Sequence, residues 1–207
     1  MAIEVRPARD FDDARAVIGP KGEDSTVCWC LSYRIPSRES LALRGTERGE
    51  RVRELLAEPL APGVLAYDGD EPVGWAAVHP RRDTHFATFR RIPHVDELDA
   101  WSVWCFRVRP GHRRQGIMHA LLDGAVAFAK ANGAPAVEGY PIDNQGSRID
   151  LTMAYVGTRA LFEKAGFRKA ADTDSVLSGF PRVLMRLEST RAEQTGAESV
   201  PASPQSS

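Results

Sequence analysis

No apolar run in this chain approaches the roughly 20 residues that a bilayer-spanning helix requires. Cysteine is scarce. Three in 207 residues, an odd number, do not make a disulfide framework. Neither sign of charge is in excess: the net charge is −1, which argues against a general nucleic-acid or membrane-surface binder. Internal repeats are absent, and the opening "MAIEVRPARDFDD" has neither the basic flank nor the apolar core of a secretory leader. What is present is an ordinary globular composition, 43% hydrophobic and 27% charged, at a length suited to one full domain. A cytoplasmic protein is the expectation.

The chain alternates between strand-like and helix-like patterns. "IEVRPA" reads as a first strand and "RDFDDARAVI" as a short helix with Asp10 as its cap. Residues 19–36, including "CWCLSYR", show no clear period. In residues 37–58, Ser37 and Thr46 are candidate N-caps, and Val52, Leu55 and Leu56 share a helical face. Gly45 and Gly49 predict a broken pair of helices rather than one. "GVLAY" and "PVGWAAVHP" flank "DGDE", a hairpin signal, and residues 81–98 read as a polar loop. "AWSVWCFRV" has the β-branched and aromatic content of a buried central strand. Ile117, Met118, Leu121, Leu122, Ala125, Phe128 and Ala129 keep helical spacing up to an Asn132–Gly133 stop. "PAVEGY" is a further strand, "TRALFEKAG" a short helix ended by Gly166, and "RVLMRL" the last strand. The domain is expected over residues 1–188, and residues 189–207, polar throughout, are expected to be disordered.

The stretch "VRPGHRRQGIMHALL" carries the most chemistry. A helix N-terminus presents unpaired N–H groups and about half a positive charge. Gly116 lets an anion approach the backbone because no Cβ stands in the way. Arg113 and Arg114 can fork onto phosphate oxygens. These residues describe a diphosphate cradle between a strand and a helix; a basic, solvated corner is the other reading of the same residues. Neither a Walker loop nor the Gly-x-Gly-x-x-Gly dinucleotide fingerprint is present.

"FRVRPGHRRQGIMHALL" resembles the acetyl-CoA motif of the GNAT acetyltransferases, and "LFEKAGF", about fifty residues later, resembles their second signature. The resemblance implies an α/β (α+β) single domain. Its strongly twisted, mixed sheet of six to seven strands splays at the centre and is flanked by about four helices. It implies acetyl-CoA as acyl donor, with no metal. The backbone of Phe106, Arg107 and Val108 would pair with the pantetheine arm. The N–H groups of Arg113, Arg114, Gln115, Gly116, Ile117 and Met118 would hold the diphosphate, and His119 would stand at its edge. Two positions depart from the family pattern. Met118 stands where Gly or Ala is usual, and Phe162 stands where a Tyr commonly serves as general acid. The leaving thiol has an intrinsic pKa near 8.5, so transfer does not depend on that acid, and Tyr155 or Tyr140 could replace it.

The implied reaction is N-acylation of a small-molecule or peptide amine by direct attack, without nucleic acid or membrane, in a possible homodimer. A non-catalytic acyl-CoA-binding or sensing module is the alternative. Glu138 is the first choice of general base, with Tyr140 on its face of the strand by the period of two. The bland reading of Glu138 is a surface carboxylate or the partner of a loop arginine. Asp143 and Asp150 follow in the loop. Cys28 and Cys30 would share a face if extended, a spacing that suits a disulfide poorly, and a zinc site lacks ligands. A substrate wall with Trp29 and Tyr33 over the acceptor is the better expectation. Cys105 is expected to face opposite to Trp104 and Phe106, as an acyl-relay thiol or, more simply, a buried structural one. Trp101 and Trp104 read as core, and His79, His85, His94 and His112 show no ligand or triad spacing.

Overall fold

The computed structural model describes residues 3–21, 27–44, 46–147, 149 and 154–189. Seven strands form one sheet: β1 (Ile3–Pro7), β2 (Gly63–Asp68), β3 (Glu71–Pro80), β4 (Trp101–Val108), β5 (Ala136–Gly139), β6 (Arg168–Leu177) and β7 (Phe180–Glu188). Their order is β1-β2-β3-β4-β5-β7-β6. All neighbours are antiparallel except β4 and β5, which run parallel. Parallel strands need a crossover, and the helix α4 (Ile117–Ala131) supplies it. The other α-helices among the described residues are α1 (Phe11–Ile18), α2 (Ser37–Ala42), α3 (Glu47–Ala57) and α5 (Arg159–Lys164), and with α4 they flank the sheet as expected. Among the described residues no helix is long and apolar enough to cross a membrane.

Local chemistry explains most boundaries. Asp10 caps α1 by accepting a hydrogen bond from the Asp13 N–H at 2.9 Å. Gly69, at φ 61°, makes the two-residue turn of the β2–β3 hairpin. Asn132 ends α4, and Gly133 at φ 80° donates back to the Lys130 carbonyl. Thr158 caps α5 through the Leu161 N–H. Ser37 lies inside α2, whose cap is Pro36, and Thr46 precedes α3 without a side-chain capping bond. The expected pair of helices is present, but neither hydroxyl caps.

Three features depart from the expectation. β6 was not legible because it is an edge strand with one buried residue, Ser175, and its register slips twice against β7. Residues 81–98 contain two 3-10 turns, Arg81–Asp83 and His85–Ala87, rather than an unstructured loop. The third is a bulge in β4: Ala77 pairs with Cys105 and the next residue, Val78, with Val103, so Trp104 is an extra residue. A bulge breaks the alternation of faces. Trp104 and Cys105 therefore both join the core on the α1–α3 side, and Phe106 joins the core on the α4–α5 side. The expectation that Cys105 opposes Trp104 is wrong by that one residue. Trp101 and Trp104 are core, at 4% and 1% exposure. Asp150 and the tail beyond Ser189 lie outside the described residues.

Candidate active site

β4 and β5 pair only through Trp101–Val137, Ser102–Glu138 and Val103–Gly139. β4 runs on to Val108 with no strand on that side among the described residues, so the sheet opens in its middle where the bulge begins. On its other side β4 stays paired with β3 as far as Val108–Gly74. The Arg109 N–H donates to the Val73 carbonyl at 2.9 Å. Backbone groups of successive residues in an antiparallel ladder alternate in direction. Phe106 and Val108 consequently turn both N–H and C=O away from β3, into the gap.

The gap continues into a cleft of about 1000 Å³. One wall is β4 and the loop after it, from Phe106 through Arg109 to Arg114; another is the first turn of α4, with Gly116, Ile117, Met118 and His119. Opposite stand Ala16, Val17, Gly19 and Lys21 from the end of α1, which the sequence reading did not implicate. The loop is sharply turned: Gly111, Arg114 and Gly116 have φ of 95°, 65° and 79°. The Gln115 side chain braces it by donating to the Gly111 carbonyl at 3.2 Å. Gln115 is not itself in the cleft wall. No atom lies within 4 Å of where a Cβ on Gly116 would stand.

Charge here is one-sided. Lys21, Arg107, Arg109, Arg113 and Arg114 line the cleft, and no carboxylate among the described residues does. Arg109 is bound to Glu71 at 2.7 Å, whereas Arg107, Arg113 and Arg114 have no ion-pair partner among the described residues. The first turn of α4 contains no acidic residue either. A polyphosphate fits such a corner. Ile117 is buried at 2% exposure and offers only backbone; the His119 N–H is taken by the Gly116 carbonyl at 2.9 Å. Met118 lines the cleft while packing on the core beneath.

The catalytic candidates separate. Tyr155 lines the cleft. Its phenol pKa is raised, chiefly by burial and then by Tyr33, so it keeps its proton through neutral pH. Glu138 and Tyr140 do not reach the cleft. Glu138, 1% exposed, accepts from Arg81 at 2.7 Å and from Arg186 at 3.4 Å. Tyr140, fully buried, donates to the same carboxylate at 3.2 Å and meets the Ser102 hydroxyl at 2.8 Å. This carboxylate is engaged by two guanidiniums and is not among the residues lining the cleft. Glu138 is the partner of a loop arginine, as the simpler reading had it. Burial, reinforced by the Glu138 carboxylate, drives the Tyr140 phenol well above the ordinary tyrosine range, away from that of a useful acid. Asp143 is paired with Arg159 at 3.0 Å.

Phe162 is wholly buried against Phe106 and Phe167. The "CWC" stretch is not extended: Trp29 and Cys30 have φ of 52° and 53°. Cys28 is exposed, while the Cys30 thiol is buried 2.8 Å from that of Cys105. Among the described residues no group of three or more metal-ligand side chains forms. Tyr33 stacks on Phe86 at 4.4 Å, and its carbonyl accepts from the His85 N–H. Loop 81–98 and the segment around Tyr33 thereby make one aromatic roof on the α1–α3 side.

A sheet opened in its middle, with a basic, glycine-turned loop leading into a helix at the opening, defines the class of acyl-CoA-dependent transferases of mixed α/β architecture. The family model of the GNAT acetyltransferases matches residues 31–167, and the chain belongs to that family. Among solved structures it is similar to a GNAT-family protein from Desulfovibrio desulfuricans (22% identity, 90% of this chain and 99% of that one, TM-score 0.52). It is also similar to yncA from Salmonella typhimurium, solved with acetyl-CoA (17% identity, 91% and 94% coverage, TM-score 0.50). A third is the NatC complex bound to Gag peptide and CoA (14% identity, 92% and 100% coverage, TM-score 0.52). No curated protein matches by sequence.

Proposed function

We propose that the protein transfers the acetyl group of acetyl-CoA to the amine of a small-molecule or peptide acceptor by direct attack. The observation that carries this reading is the gap beside β4, where Phe106 and Val108 leave their backbone groups without a strand partner next to an anion-ready helix start. Bound acetyl-CoA would supply an activated thioester. The backbone of Phe106, Arg107 and Val108 would hold the pantetheine amides. Arg113, Arg114 and the N–H groups of Gly116, Ile117 and Met118 would hold the diphosphate. The Val108 N–H faces the gap and suits a developing oxyanion. Tyr155 retains a proton near neutral pH and is the side chain suited to protonating the departing thiolate.

Among the described residues no carboxylate lines the cleft to deprotonate an amine. The amine therefore enters as its free base, and orientation supplies most of the acceleration. That predicts a kcat/KM that rises tenfold per pH unit up to the acceptor's own pKa and then levels. A second inflection at lower pH would indicate a base on the protein.

The deciding experiment is calorimetric titration with acetyl-CoA of the wild type and Gly116→Glu, followed by CoA release on adding amines. Micromolar binding lost in the variant supports the cradle, and amine-dependent CoA release supports the enzyme over a sensing module. Absence of heat in the wild type, with no competition by CoA, overturns the proposal.

A further inference from the structure

All three cysteines are free, and they stand together. Residues 28–31 form a tight turn: the Leu31 N–H donates to the Cys28 carbonyl at 2.9 Å, with Trp29 and Cys30 at φ of 52° and 53°. The turn sends Cys30 into the core on the α1–α3 side and leaves Cys28 exposed. The bulge in β4 brings Cys105 into that same core. The Cys30 and Cys105 sulfurs, 75 positions apart in the chain, lie 2.8 Å from each other. The Cys30 thiol also bonds to that of Cys28, so it is the middle member of a row that begins at the surface. A disulfide bond is about 2.05 Å long, so an approach of less than about 1 Å would join Cys30 to Cys105.

A thiol pair sealed in apolar surroundings is normally inert, because burial keeps it protonated and away from oxidants. Cys28 removes that obstacle. It is exposed, and its bond from the Cys30 thiol holds its pKa at about 6, so most of it is thiolate at neutral pH. We propose that Cys28, Cys30 and Cys105 form a thiol relay in which hydrogen peroxide, met at Cys28, leaves a disulfide between Cys30 and Cys105. The Cys28 thiolate attacks one peroxide oxygen and the O–O bond breaks. The departing hydroxide takes a proton to become water, and Cys28 is left as a sulfenic acid. The Cys30 sulfur then attacks that of Cys28; the S–O bond breaks, and the oxygen leaves as a second water with the Cys30 proton. Cys105 attacks the Cys30 sulfur in turn, its proton passes to solvent, and Cys28 departs as thiolate. Exchange runs in this direction because the thiol of lowest pKa is the best leaving group, and because positions two apart suit a disulfide poorly. Two thiols and one peroxide give one disulfide and two waters. The product ties residues 27–35, with Val27 of the cleft wall and Tyr33 of the aromatic roof, to the central strand. It is independent of the acetyltransferase reading.

The test is peptide mapping. Reduced full-length protein is treated with an equimolar amount of hydrogen peroxide, its remaining thiols are blocked with N-ethylmaleimide in denaturant, and it is digested with trypsin without reduction. Trypsin places Cys28 and Cys30 on residues 22–34 and Cys105 on residues 92–107. The expected product is these two peptides joined through Cys30, with the maleimide on Cys28. A join through Cys28, a Cys28–Cys30 disulfide as the end product, a disulfide between two chains, or over-oxidised Cys28 without a cross-link overturns the relay. Cys28→Ser should slow formation of the cross-link at least about tenfold; an unchanged rate contradicts entry at Cys28 and overturns the relay. Cys30→Ser should instead let Cys28 sulfenic acid accumulate, trapped by dimedone. Melting temperature gives an arm that needs no variant. Closing a loop of this length should raise the oxidised wild type by about 5 °C or more over the reduced protein, and dithiothreitol should abolish the difference. An oxidised form that melts no higher shows the two sulfurs to have been forced together, and overturns the proposal.

Discussion

At the scale of single residues, burial separates side chains that look equivalent in the sequence. Glu138 and Tyr155 were both candidates for proton transfer; one lies between Arg81 and Arg186, the other lines the cleft. Removing one member of a buried ionic cluster strands the rest, so Glu138→Ala should cost about 3–5 kcal/mol in urea unfolding. Tyr155→Phe should do the opposite: little change in stability or acetyl-CoA affinity, with kcat down by about 10²-fold. A loss below threefold would remove Tyr155 from the chemistry. Cys28 is a third case. Hydrogen bonding from the neighbouring Cys30 thiol brings the pKa of the exposed Cys28 down to about 6. Iodoacetamide should therefore label it with a midpoint near pH 6 while Cys30 and Cys105 stay unlabelled until the chain unfolds. None of this could be read from residue order, because the guanidinium beside Glu138 comes from Arg81, 57 positions away.

At the scale of elements, legibility followed burial pattern. α4 announced itself because one of its faces is fully apolar, and the β2–β3 hairpin because Asp-Gly has few other uses. β6 did not, since solvent reaches most of both its faces and its alternation is lost in two slips. The Ser178–Gly179 pair, both at positive φ, was the one signal for its hairpin. The bulge at Trp104 left no signal at all; aromatic and β-branched residues surround it on every side. Packing of α5 on β5 makes its own demand. Phe162 occupies the space a side chain on Gly139 would need, so Gly139→Ala must push a buried ring aside. We expect a cost of about 1–3 kcal/mol, visible as a lower midpoint of denaturation with an unchanged slope.

At the scale of the whole molecule, the sheet separates two cores, one beneath α1 and α3 and one beneath α4 and α5. The family resemblance foretold the mixed, seven-stranded sheet that opens at its centre. Stability of the whole carries a pH signature from His79. This side chain is 4% exposed with neither ring nitrogen hydrogen-bonded, its Nδ1 3.9 Å from the Asp83 carboxylate, and burial, aided by Arg34 and Arg82, lowers its pKa to about 3. Below pH 6.5 the unfolded chain takes up a proton that the folded chain refuses. Stability then falls by up to about 1.4 kcal/mol per unit until pH 3. His79→Phe should flatten that part of the curve, and a difference curve without slope between pH 6 and 4 would contradict it. The opening beside β4 has a consequence of another kind. An ordinary open sheet has two edges at which a foreign strand can add; this one has a third inside it, at Phe106 to Val108. Edges of that kind recruit other chains. Starved of acyl-CoA, the protein should self-associate through its own interior, and the cosubstrate should act, before any chemistry, as the stopper that keeps it single.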